Sequence, residues 1–154
     1  MNTWYEVVVK GTRQGEKREQ KIIEKYLLDA LSFTEAEKRA VDEIFPYFPN
    51  GDARVAKINP IKVSEIMFSS GDLWFKCKVN FITLIEKTGK EKKQPCYMYV
   101  QADNTKEAEE HLNEGMKGTM VDWNLESIVE TKIIDILKYN LEKAAEELEK
   151  KTEE

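Results

Sequence analysis

The feature that most constrains this chain is that it reads as two copies of one pattern. Trp4-Tyr5-Glu6-Val7-Val8-Val9 lines up with Trp74-Phe75-Lys76-Cys77-Lys78-Val79 at an offset of 70. Leu28 to Glu37 lines up with Val100 to Glu109 at an offset of 72, with Ala30, Glu35, Ala36 and Glu37 identical to their counterparts. Ile58, Lys62 and Ile66 match Ile128, Lys132 and Ile136, again at 70. Three blocks in the same order, with nearly equal offsets, point to an internal duplication. Each copy spans about 70 residues. The expectation is therefore one pseudo-symmetric domain over residues 1–138, with repeat 1 at 3–70 and repeat 2 at 71–138.

Each copy reads as strand, strand, helix, strand. In the first, β-branched and aromatic residues from Trp4 to Lys10 predict a strand, a polar glycine-bearing turn runs from Thr12 to Arg18, and Lys21 to Ala30 returns. Ser32 with Glu35 three residues on is a capping box, opening a helix with the apolar stripe Ala36, Ala40, Val41 and Ile44. Pro46 and Pro49 end it. Arg54 to Phe68 is extended and interrupted at Pro60, which cannot donate to a central ladder.

The second copy repeats this. Leu73 to Glu86 and Gln94 to Ala102 are strands around Lys87-Thr88-Gly89-Lys90, and Asn104 with Glu107 caps a helix that carries Ala108 and Leu112. Gly115 and Gly118 stop that helix, and Thr119 to Thr131 is the last strand. Ile134 to Lys151 has no counterpart in the first copy. Leu137, Leu141, Ala144 and Leu148 give it helical spacing, so residues 139–154 are expected as a charged, amphipathic C-terminal helix. The fold class expected is α+β: two tandem ββαβ repeats, antiparallel sheets packed on helices, and this extension.

Composition excludes several functions. No apolar run approaches the ~20 residues of a membrane helix, and no secretory leader is expected, so the setting is read as cytoplasmic. Two cysteines, Cys77 and Cys96, cannot form a disulfide framework and are read as free thiols. With one histidine, His111, and no CxxC or HxxxH spacing, no metal or other cofactor is expected. Catalysis by a Ser–His or Cys–His pair would have to use His111, which lies beside the apolar stripe of its helix with no accompanying GxSxG or phosphate loop. No catalytic residues are assigned, and an enzyme is not expected.

Strand alternation sorts the second hairpin into two faces. Centred on Thr88-Gly89, the pairs Phe75 with Ala102, Cys77 with Val100, Val79 with Met98 and Phe81 with Cys96 are all apolar, so this side covers the helices. The other side carries Trp74, Lys76, Lys78, Asn80, Tyr97, Tyr99 and Gln101, with Lys92 and Lys93 near the turn. Between Gly71 and Tyr99 there are 6 lysines against 3 acids, although the whole chain has 24 basic and 29 acidic residues and a net charge of −5. Aromatic rings interleaved with lysines on a sheet suit single-stranded nucleic acid, bases stacking on rings and cations following phosphates. The same composition also suits cross-strand packing or a covered face. The corresponding side of the first hairpin, Trp4, Glu6, Val8, Lys10, Lys25, Leu27 and Asp29, mixes charges and is expected to expose Val8 and Leu27. Residues 139–154 carry 6 Glu and 3 Lys.

Four stretches carry a family resemblance: the opening Trp-Tyr-Glu-Val, Ala30 to Glu37, Lys78 to Leu84, and Glu114-Gly115-Met116-Lys117-Gly118-Thr119-Met120. Over about residues 2–138 the chain resembles an uncharacterised family, a domain of unknown function found in Bacteroidetes and their tailed phages, including crAss-like phages. The resemblance implies an intracellular bacterial or phage setting and supplies no activity.

The leading expectation is a non-enzymatic protein binding single-stranded DNA or RNA. Trp74, Tyr97 and Tyr99 would stack bases, Lys76, Lys78, Lys92 and Lys93 would contact phosphates, and Asn80 and Gln101 would offer hydrogen bonds. The alternative is a protein-interaction module, such as a phage adaptor or host-defence antagonist, or a homo-oligomer, acting through the same face or the C-terminal helix.

Overall fold

The computed structural model describes residues 2–139, 149, 150 and 152. It is mixed α and β, with eight strands in two four-stranded sheets and two α-helices among the described residues. The chain divides into two compact units, residues 1–60 with 136–154, and residues 61–135.

In the first unit, β1 (Thr3–Gln14) and β2 (Glu19–Ala30) form a long antiparallel hairpin, followed by α1 (Phe33–Glu43), a 3-10 turn (Phe45–Tyr47) and β3 (Arg54–Ile61). The sheet is completed by β8 (Ile133–Leu137), in the order β3-β1-β2-β8. One face buries Tyr5, Val7, Val9, Tyr26, Leu28 and Ala30 against Ala36, Ala40 and Ile44 of the helix and Phe48 beyond it. Helix α1 starts as its sequence demands: the Glu35 N–H donates to Ser32 Oγ at 3.1 Å. Its stripe differs at one position: Val41 is exposed, and Arg39 is the buried member.

The second unit has the same plan. β5 (Leu73–Leu84) and β6 (Glu91–Ala102) form the hairpin, α2 (Thr105–Gly115) follows, and β7 (Asp122–Glu130) pairs with β5. A short strand, β4 (Glu65–Met67), runs parallel to β6 and gives the order β4-β6-β5-β7. The core joins Cys77, Val79, Met98 and Val100 to Leu112 and Met116, with Phe75, Ala102 and Ala108 beside them. Asn104 caps α2 by accepting from the Glu107 N–H at 2.8 Å. β1, β2, β5 and β6 are each 12 residues long, and both helices are 11.

Three expectations are corrected. Arg54 to Phe68 is two strands, because β3 ends at Ile61 and β4 joins the other sheet. Residues 134–137 are strand, not the start of a helix; Ile136 is buried and Leu137 packs on the first core. Of the expected C-terminal helical extension over 139–154, residues 140–148, 151, 153 and 154 lie outside the described residues. Both hairpins are also shifted by two residues: Phe75 faces Val100, not Ala102, and Tyr5 faces Leu28. The second hairpin closes through Ile85 N–H to Lys90 O at 2.8 Å, around a four-residue loop with Gly89 at φ 67, instead of a two-residue turn. An even shift leaves every residue on its expected face.

Candidate functional site

The face of the second sheet away from its helix carries the even-numbered residues of β5 and the odd-numbered residues of β6. Trp74 faces Gln101, Lys76 faces Tyr99, Lys78 faces Tyr97 and Asn80 faces Pro95. The expected site residues of these two strands thus share one face, with one exception. Lys92 and Lys93 both lie on β6 instead of in the turn, so only Lys93 joins Tyr97, and Lys92 lies on the opposite side.

Burial divides this face into two halves. Trp74 is 2% exposed and Tyr99 4%, so neither ring offers an open stacking surface. Phe68 meets Trp74 edge-on at 5.3 Å between ring centroids. The Trp74 carbonyl accepts from the N–H and Oγ1 of Thr131 at 2.9 and 2.8 Å. Gln101 is spent locally: its Oε1 accepts from the Ser69 N–H at 3.1 Å, and its Nε2 donates to the Gly71 carbonyl at 3.0 Å. The expectation of three open rings therefore reduces to Tyr97, which is half-buried. Alternation shows which face a residue occupies; it does not show whether something covers that face.

The open half lies toward the hairpin tip. Lys76 Nζ sits 4.6 Å from the centroid of the Tyr97 ring, a cation held over an aromatic face. Lys78 Nζ pairs with Glu126 at 2.6 Å. Asn80 is 4% exposed, and its Nδ2 donates to Asn124 Oδ1 at 3.2 Å and to Glu126 Oε1 at 3.4 Å. Donation from Lys78, and then from Asn80, holds the Glu126 carboxyl below the ordinary carboxylate range. The same bond raises Lys78. Lys93 adds its positive charge nearby and, like Lys92, is exposed.

Glu126 is the residue that sequence reasoning missed. β7 pairs Ser127 with Lys78 and Leu125 with Val79, so Glu126 is the extra residue of a β-bulge. The pattern of β7 leaves its parity open: its apolar residues are Trp123, Leu125, Ile128 and Val129, and Val129 keeps the odd spacing that Ile128 breaks. The bulge turns Ile128 onto the core and leaves Val129 exposed.

The corresponding face of the first hairpin is a different surface. Leu27 is fully buried and Asp29 nearly so, which corrects the expectation that Leu27 is exposed. Val8 is half-buried. Lys25 pairs with Glu6 at 3.4 Å, so charges there cancel in place.

His111 has a structural setting: its Nδ1 lies 2.7 Å from the Gln101 carbonyl. Among the described residues no group of three or more His, Cys, Asp or Glu could hold a metal ion, and no helix is long and apolar enough to cross a membrane.

A family model described as "Domain of unknown function (DUF4494)" matches residues 3–139. No curated protein and no solved structure matches the chain.

Proposed function

The chain belongs to the DUF4494 family, a domain of unknown function, and from that premise we propose that it binds single-stranded DNA or RNA without catalysis. The binding surface is the open half of the second sheet. The observation that carries this reading is Tyr97 flanked by Lys76, Lys78 and Lys93 on one face of a sheet. Tyr97 supplies the stacking ring and the lysines follow the phosphates. Stacking requires Lys76 to leave the ring for a phosphate, an exchange that gives up only about 0.5–1 kcal/mol of cation–π energy. Lys92, on the other side of β6, serves a strand that wraps the hairpin edge.

The matching lengths and strand orders of the two units support an origin by duplication, in which the second unit keeps the ligand face and the first becomes structural. The setting we propose is cytoplasmic, in a bacterium or phage-infected host, in an accessory role.

One observation favours a second reading, a protein-interaction module. Leu84, Ile85, Met120 and Val121 are all exposed, Met120 at 95%. The β5–β7 ladder ends at Ile82 and Asp122, so these residues continue from adjacent strands at one end of the sheet. Apolar groups grouped in this way mark interaction sites.

Oligonucleotide binding followed by fluorescence anisotropy separates the two. Tyr97→Ala is expected to weaken binding roughly tenfold, from the loss of about 1–3 kcal/mol of stacking, while the uncharged changes Leu84→Ser with Met120→Ser leave it unchanged. Light scattering on the full chain and on residues 1–138 tests assembly through the C-terminal segment. Absence of oligonucleotide binding at low salt, together with an assembly lost on truncation, would favour the second reading.

A further inference from the structure

A carboxylate in the middle of a phosphate-binding surface is an apparent cost. Glu126 repels phosphates and takes up part of the charge of Lys78, at 2.6 Å. It reaches this place through a bulge, the device by which a strand re-aims a side chain. It is also tied in position, accepting from Lys78 on one oxygen and from Asn80 on the other. Asn80 is itself nearly fully buried and bonded to Asn124 at 3.2 Å. Across the strands the order is Tyr97, Lys78, then Ser127 beside Glu126, so Lys78 lies between the ring and the carboxylate.

Resting on the nucleic-acid reading above, we propose that this group selects guanine. In this proposal a base stacked on Tyr97 turns its Watson–Crick edge across the strands, toward Lys78 of β5 and Glu126 of β7. Single-stranded bases are read on that edge, which is free of a pairing partner. Guanine places two donors side by side there, N1–H and the N2 amino group, and a carboxylate accepts both at once. It places the O6 acceptor next to them, within the chemistry of the Lys78 ammonium. The other bases fail this pattern. Cytosine and adenine offer one amino donor beside a ring-nitrogen acceptor that a carboxylate repels. Thymine and uracil offer one N–H between two carbonyls. Both oxygens of Glu126 already accept one bond each, and a carboxylate oxygen takes two, so the base adds to the existing network.

The test uses the full chain and a short oligothymidine carrying one central guanine, inosine, adenine or cytosine, with binding read by anisotropy at low salt. Isolated guanines exclude four-stranded structures. The guanine oligonucleotide is expected to bind roughly ten- to a hundredfold tighter than the others, the span of one good bidentate base contact. Inosine, which lacks the N2 amino group, falls between. Glu126→Gln removes the preference and leaves oligothymidine binding intact or stronger, with circular dichroism confirming the fold. Equal affinity for all four oligonucleotides overturns guanine selection and leaves the nucleic-acid reading standing. A guanine preference that survives Glu126→Gln overturns the role of Glu126. No binding to any of them overturns both.

Discussion

The Arg39 guanidinium donates to the Asp29 carboxylate at 2.8 Å, with both side chains about nine-tenths buried. Asp29 also accepts from Asn2 Nδ2 at 3.0 Å and from the Tyr139 N–H at 2.7 Å, and Arg39 stands 5.6 Å from the Tyr139 ring centroid. This cluster ties α1, the end of β2 and the residues after β8 together in the first unit. Removing Asp29 leaves a buried cation with only Glu43, at 2.7 Å, as counter-charge. Asp29→Ala is expected to cost about 3 kcal/mol, the lower end for breaking a buried pair, because Glu43 remains. Urea denaturation checks it. A loss below about 1 kcal/mol, the scale of an exposed pair, would show that the cluster is not acting as a buried one.

Gly71 is required by both conformation and space. Its φ is 131, and a Cβ there would lie 2.4 Å from the Ala102 carbonyl carbon. Gly71→Ala is expected to destabilise by on the order of 2–3 kcal/mol, lowering Tm by roughly 5–10 °C. An unchanged Tm would mean that the β4–β5 connection relaxes freely.

The two thiols are distinguishable. Cys77 is buried, and burial pushes its pKa up to about 11, whereas Cys96 is partly exposed. At pH 8 a thiolate-directed reagent is expected to modify one thiol per native chain and two after unfolding. Cys96→Ser abolishes the native reaction. The raised folded pKa also has a stability consequence: its contribution is full below the unfolded value of about 8.5 and is lost as pH rises toward 11. Two fast thiols in the native chain would contradict the burial of Cys77.

The Lys78–Glu126 pair has the opposite sign. The folded Glu126 pKa is depressed, chiefly by donation from Lys78. Its contribution is present above the unfolded value of about 4.3 and is lost as pH falls through the lower folded value. Carboxyl NMR titration is expected to place the Glu126 midpoint below that of an ordinary glutamate, and Lys78→Ala to move it up. Because the pair is open to solvent, added salt moves it the same way. A midpoint indifferent to Lys78 would remove the electrostatic basis assigned to the bulge.

Local signals in the sequence reached far into this fold. Ser32 with Glu35 and Asn104 with Glu107 marked both helix starts because capping is a contact between near neighbours. The faces of the hairpins were legible because alternation survives a two-residue slip. The strand Ile133–Leu137 was not, since Ile133, Ile136 and Leu137 are spaced as well for a helix stripe, and only its place beside β2 decides. Trp74 and Tyr99 failed as stacking rings for a similar reason: burial is settled by what packs beside a residue in the fold, as Phe68 does against Trp74. Glu126 was not legible either, because Ile128 and Val129 leave the parity of β7 open and only its pairing with β5 shows the bulge.

The central claim is that the lysines beside Tyr97 bind a nucleic-acid backbone, and the most direct test is the salt dependence of affinity for single-stranded oligonucleotide. About four phosphate contacts predict a slope of log affinity against log salt near −3, reduced by about one when Lys93 is replaced by glutamine. No measurable binding at low salt, or an affinity that does not change with salt, would contradict the account.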